Sequence, residues 1–192
     1  MSRLPVVGVL GSGTDPSESQ AGELGIWLGT LGVHLLTGGG GGVMESVSRG
    51  FCSVQGRKGL SIGIIPARRD AGTGDYLGPK EGYPNPYVEL PVQTHLHLSG
   101  NQGLDDLSRN HINILSSNLL IALAGGAGTS SEARLAVEVY HKPLIAYVDG
   151  RWKIPGLPER ITVEPDFSRV KEFVLKTLAA DQGIVYRPPD AE

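Results

Sequence analysis

The residues best suited to chemistry sit in glycine-rich stretches and one arginine-bearing segment. The stretch GGAGTSSE, residues 125–132, follows the apolar run LLIAL. Gly125, Gly126 and Gly128 bare the backbone where a helix should begin. Unsatisfied N–H groups at such a start, together with the helix dipole, favour an anion. Thr129 can cap the helix or donate to a ligand, and Glu132 falls on the first turn, able to face the same cleft. The pair also fits a capping box, which satisfies the helix end with no ligand at all. Spacing alone does not choose between these readings.

A second stretch, TGGGGGVMES over residues 37–46, sets Gly38, Gly39, Gly40, Gly41 and Gly42 behind Thr37. Five consecutive glycines cost backbone entropy, and a plain turn has little need of them, so bare amides at the helix start near Val43 predict close approach by an anion. No Lys-Ser or Lys-Thr pair follows, which excludes a Walker phosphate loop. In the third stretch, Gly11, Ser12 and Gly13 either form a tight strand-to-helix turn or touch a ligand through backbone and the Ser12 hydroxyl. Pro16 stands where a dinucleotide fingerprint needs its third glycine, and the second strand ends at Thr37 instead of an acid, which argues against NAD. Arg109, in DDLSRNHINILSS, suits forked contact with a phosphate; otherwise it is a solvated partner of Asp105 or Asp106. His95 and His97 share one face of an expected strand and His111 lies on a helix. With no Cys or carboxylate cluster to complete a ligand set, no metal site is expected.

These loops need a scaffold, and the apolar periodicity supplies one. VVGVL, residues 6–10, is a buried strand; Leu24, Trp27, Leu28 and Leu31 recur at helical spacing from about 17 or 18 to 31. Strands are predicted next at 33–36 and 60–67, with a helix from Val43 between them, and then a surface excursion over 68–86. Alternation over 87–99 predicts a strand. A helix over 105–117 points Leu107, Ile112 and Leu115 inward and leads to the strand at 119–123. A helix to about Tyr140 and the strand KPLIAYVDG follow. Ser168 caps a last amphipathic helix carrying Val170, Phe173, Val174 and Leu178. Trp27 and Trp152 are expected to pack. Alternation of strands and helices argues an α/β fold with a parallel sheet and right-handed crossovers.

At 192 residues the chain suits a single domain, 1–182, with a loosely held tail over 183–192. A net charge of −3 gives no basic footprint for nucleic acid. No apolar run reaches membrane-spanning length and no leader precedes residue 10, so a soluble cytoplasmic protein is expected. The single cysteine, Cys52, excludes an internal disulfide and reads as a small apolar residue on the buried face of a helix. Glycine is in excess, 28 in all, and gathers at strand ends.

TGGGGGVMESVSRGF, SIGIIP, NPYVE, SRNHINILSSNLLIALAGGAGTSSEARLA and KPLIA stand in the order seen in molybdenum cofactor carrier proteins, which the chain resembles from about residue 6 to 148. These belong to a wider Rossmann-like superfamily that includes the cytokinin-activating phosphoribohydrolases. The resemblance implies a doubly wound, mainly parallel sheet with helices on both faces. It also implies a homodimer or homotetramer, and molybdenum cofactor (molybdopterin) as an anionic cargo held over the glycine loops and passed to a recipient molybdoenzyme without catalysis. The alternative is the hydrolase branch, whose Gly-Gly-x-Gly-Thr-x-x-Glu motif matches Gly125, Gly126, Gly128, Thr129 and Glu132, with Arg109 aligned to its arginine. Arg109 would then orient a nucleoside 5′-monophosphate and Glu132 stabilise the ribosyl cation or position water. Ala124 replaces that motif's usual proline, and residues 72–103 look like the carrier branch.

Overall fold

Residues 3–182 are described by a computed structural model. The apolar runs become strands: β1 (Val6–Leu10), β2 (His34–Thr37), β3 (Ser61–Ile65), β7 (Leu119–Ala122) and β8 (Leu144–Ala146). With β6 (Leu90–Gln93) and β9 (Thr162–Val163) they form a seven-stranded sheet in the order β6-β3-β2-β1-β7-β8-β9, and every pair in it is parallel. The order reverses between β1 and β7. In doubly wound sheets that reversal opens a crevice beyond the carboxyl ends of the strands.

Period-2 alternation decides which face each strand residue serves. From β7, Leu119 and Ile121 join Val7, Val9 and Leu35 in a core beneath α1 (Glu18–Thr30), α2 (Val43–Ser53) and α5 (Phe167–Gln182). Leu120 and Ala122 point the other way, into a core with Leu10, Ala146, Ile154 and residues of α3 (Asn110–Ser116) and α4 (Ala127–Arg134). Helices on both faces of one parallel sheet make a single α/β domain of Rossmann-like architecture. No described helix is long and apolar enough to cross a membrane.

Local structure departs from the periodicity in several places. The apolar run over 60–67 is broken at Pro66, so its end turns out as β4 (Ala67–Arg69), which pairs antiparallel with β5 (Tyr76–Pro79) inside the expected excursion. The alternating stretch 87–99 keeps only β6 as strand, and His95 and His97 lie outside it. The helix expected over 105–117 begins at Asn110, because the N–H of Ser108 donates to Asp105 and that of Leu98 to Leu107, fixing a turn instead. Leu107 and Leu115 are exposed, whereas Ile112 packs half-buried against Val6, Leu36 and Ile64, and Ile114 enters the core with Leu120. Asp166, not Ser168, caps α5: its carboxylate accepts the Ser168 N–H at 2.7 Å. Helix α4 gives way to a π turn, Leu135–Val139. The short edge strand β9 carried no periodic signal. The expected tail over 183–192 lies outside the described residues.

Candidate functional site

The three glycine stretches do meet at the carboxyl edge of the sheet, but they do different things there. The N–H of Ser12 donates to Ala124 O at 2.9 Å and the N–H of Val43 to Ser12 O at 2.9 Å, so the loop after β1 joins the starts of α2 and α4. Ser12 Oγ accepts the N–H of Asp15 at 2.9 Å, which turns the chain toward α1. Gly11 is pressed on Val43, while Gly13 is open.

Close packing accounts for most of the run over 38–42, contrary to the expectation that a structural turn has little need of five glycines. A methyl group at Gly38 would overlap the Arg109 guanidinium, at Gly39 the Ile65 side chain, at Gly40 the Tyr83 ring, and at Gly42 the backbone of Ser12. Gly41 has no such neighbour closer than 3.4 Å. Asn85 ties the run from outside, donating its N–H to Gly39 O and Nδ2 to Gly40 O, each at 2.8 Å. Thr37 is buried, and its Oγ1 accepts the Gly39 N–H at 3.1 Å.

The start of α4 is built differently. Its first intrahelical bond runs from Ser130 N–H to Gly126 O, and no side chain caps it. Thr129 does not form the capping box, because α4 starts at Ala127 with Gly126 at its N-cap and puts Thr129 inside the first turn, where its hydroxyl folds over the α-carbon of Gly125 and the residue is buried. Glu132 is turned away too, accepting a hydrogen bond from Asn113 Nδ2 at 3.0 Å. The N–H groups of Gly126, Ala127, Gly128 and Thr129 therefore begin the helix without an internal acceptor. Gly128 packs beside Gly100, while Gly126 and Ala127 are exposed.

Gly126 opens on a cleft of about 550 Å³ beyond β1, β7 and β8. Ser12, Gly125 and Gly126 line it, with Asp15, Gln20, Asp149, Trp152 and Lys153. Trp152 was expected to pack, but it is 70% exposed on the cleft wall, and the acids and lysine beside it carried no motif in the sequence. Trp27 does pack, edge-on against Phe167 with centroids 5.8 Å apart.

Arg109 and Glu132 form a second, enclosed centre beneath Gly38. Arg109 is only 5% exposed, so it is not the solvated partner of Asp105 or Asp106. Its Nη1 stands 3.6 Å from Glu132 Oε1, within ion-pair reach but without a hydrogen bond, and among the described residues neither Nε nor Nη1, both buried, has an acceptor. Burial pushes the Glu132 carboxyl above its ordinary value, against the opposing pull of the Arg109 charge and the Asn113 amide. His111 shares a 2.7 Å hydrogen bond with Tyr140. Among the described residues no group of three or more His, Cys, Asp or Glu is placed to hold a metal.

This architecture has relatives among solved proteins. The molybdenum cofactor binding protein of the phototrophic bacterium Rippkaea orientalis is 28% identical, with a TM-score of 0.67 over 93% of this chain and 99% of that one. The molybdenum cofactor carrier protein of Chlamydomonas reinhardtii is 27% identical, with a TM-score of 0.65 over 92% and 99%. By sequence alone, an uncharacterized protein of Archaeoglobus fulgidus is also similar, 29% identical over 138 residues, 71% of this chain and 76% of its own length. The sequence fits the pattern of the SLOG cluster4 family over residues 4–173, and the chain belongs to that family.

Proposed function

We propose that this protein binds molybdenum cofactor in the cytoplasm, shields it, and hands it to a recipient molybdoenzyme without turning it over. The observation that carries the reading is the likeness to proteins of that description along nearly the whole chain. The site's chemistry agrees with it. Molybdenum cofactor is a pterin with a terminal phosphate and an oxo-metal dithiolene, so a carrier needs an anion-friendly surface beside room for a flat heterocycle. The uncapped start of α4 supplies donors for the phosphate, and the cleft beside it falls within the roughly 300–1,000 Å³ usual for small-molecule sites. Exposed Leu104, Leu107, Leu115 and Val139, around α3 and the π turn, suit self-association as a homodimer or homotetramer.

The hydrolase reading draws on one observation, the buried Arg109 and Glu132 pair. In that arrangement the guanidinium is wedged against Gly38, buried, and not part of the cleft lining, which favours a structural task. The test is to mix purified protein with molybdenum cofactor, AMP and cytokinin monophosphates in separate samples. The carrier reading expects a raised melting temperature with the cofactor and no free base from the nucleotides. Base release that disappears in Arg109→Ala or Glu132→Ala would overturn it.

A further inference from the structure

The cleft contains groups that the anion-binding start of α4 does not use. Trp152 is its most exposed large apolar side chain, and its indole lies back against Gly150, where a methyl group would collide with the ring. Lys153 Nζ sits 4.3 Å from the indole centroid. The Gly125 N–H donates to Lys153 O at 3.0 Å, so the turn bearing the indole is tied directly to the glycine loop ahead of α4. Asp149, at the carboxyl end of the β8 segment, lines the same wall, and among the described residues its carboxylate has no hydrogen-bonded protein partner. An exposed aromatic face, a free carboxylate and the unbonded Gly126 amide at the start of α4 thus share one cleft.

We propose that this wall is a recognition subsite for a fused 2-amino-4-oxopyrimidine ring. Trp152 stacks on the ring, the Asp149 carboxylate accepts from its amino group and adjacent ring N–H, and the ligand's phosphate sits at the start of α4. The proposal rests on the carrier reading only for the identity of the natural ligand, a pterin. Its chemical content is broader: two adjacent N–H donors match a carboxylate in the forked geometry that gives strong, directional pairing, while stacking is indifferent to the ring's edge. Adenine lacks that donor pair; guanine has it.

Guanosine and adenosine 5′-monophosphate are therefore the probes, titrated into the full chain by calorimetry and by tryptophan fluorescence. The wild type should bind the guanosine nucleotide at least roughly tenfold more tightly. Asp149→Asn should abolish that preference, and Trp152→Ala should weaken both nucleotides by roughly tenfold while Trp152→Phe keeps most of the affinity. Unchanged melting temperatures would confirm that these exposed positions leave the fold intact. Equal binding of the two nucleotides by the wild type, failure of the guanosine nucleotide to bind, or indifference to both substitutions would overturn the subsite. Molybdenum cofactor titrated in parallel separates the two readings. A wild type that ignores the cofactor yet prefers the guanosine nucleotide refutes the carrier and supports the subsite. Cofactor binding that survives both substitutions unaltered supports the carrier and refutes the subsite.

Discussion

The guanidinium of Arg109 lies directly against the α-carbon of Gly38, so that no side chain fits at residue 38 while the arginine keeps its place. The contact joins the glycine run after β2 to the helix that precedes β7, across the reversal in strand order. It also holds Arg109 beside Glu132 and away from solvent.

Gly38→Ala should therefore cost about 1–3 kcal/mol through overpacking. Combined with Arg109→Ala, it should cost less than the two single changes together, with a coupling above about 0.5 kcal/mol. Urea unfolding of the four proteins in the cycle measures this. Additive costs would mean that the contact carries no energy.

Glu132 links this centre to pH. Its carboxyl is raised in the folded state because burial outweighs the Arg109 charge and the Asn113 hydrogen bond. A raised carboxyl contributes stability that is fully present below its unfolded value, 4.5, and is lost as pH rises through the folded one. The stability of the wild type relative to Glu132→Gln should thus be greatest near about pH 4 and decline toward neutrality. Denaturant midpoints of both proteins across that range test the sign; a difference that grows with pH would reverse the assignment.

Within the run over 38–42, neighbouring glycines should behave unequally. Gly42 has φ 62° and its missing side chain would strike the Ser12 backbone, so Gly42→Ala should cost more than about 2 kcal/mol. Gly41→Ala, with no neighbour inside 3.4 Å, should cost less than about 1 kcal/mol. Melting curves for the two variants should differ by several degrees, on the order of 2–4 °C per kcal/mol. Equal losses would place the run's demand for glycine elsewhere.

Much of the scaffold was legible because it is written in local pattern. Leu119, Leu120, Ile121 and Ala122 alternate between two cores as a strand covered on both faces must. Glycine after β1, β2 and β7 marked the sheet edge where the loops meet. What local pattern could not carry was the use of each glycine. Residues 38, 39, 40 and 42 answer to Arg109, Ile65, Tyr83 and Ser12, all distant in sequence. The Thr129 and Glu132 spacing fitted a capping box, yet Asn113 and Arg109 compete for the carboxylate from another helix. Trp152 is large and apolar, and only the fold shows it on an open wall.

In the carrier proposal, main-chain donors at the start of α4 hold the cargo's anion, and Ala127→Pro removes one of those donors. Residue 127 is the first helical position, exposed, and its N–H has no internal acceptor. Proline is tolerated there, so the fold should keep its melting temperature while one donor disappears. The dissociation constant for molybdenum cofactor should rise roughly tenfold or more, as loss of a hydrogen bond to a charged group demands. An unchanged constant in a variant of unchanged stability would mean that these amides do not hold the anion.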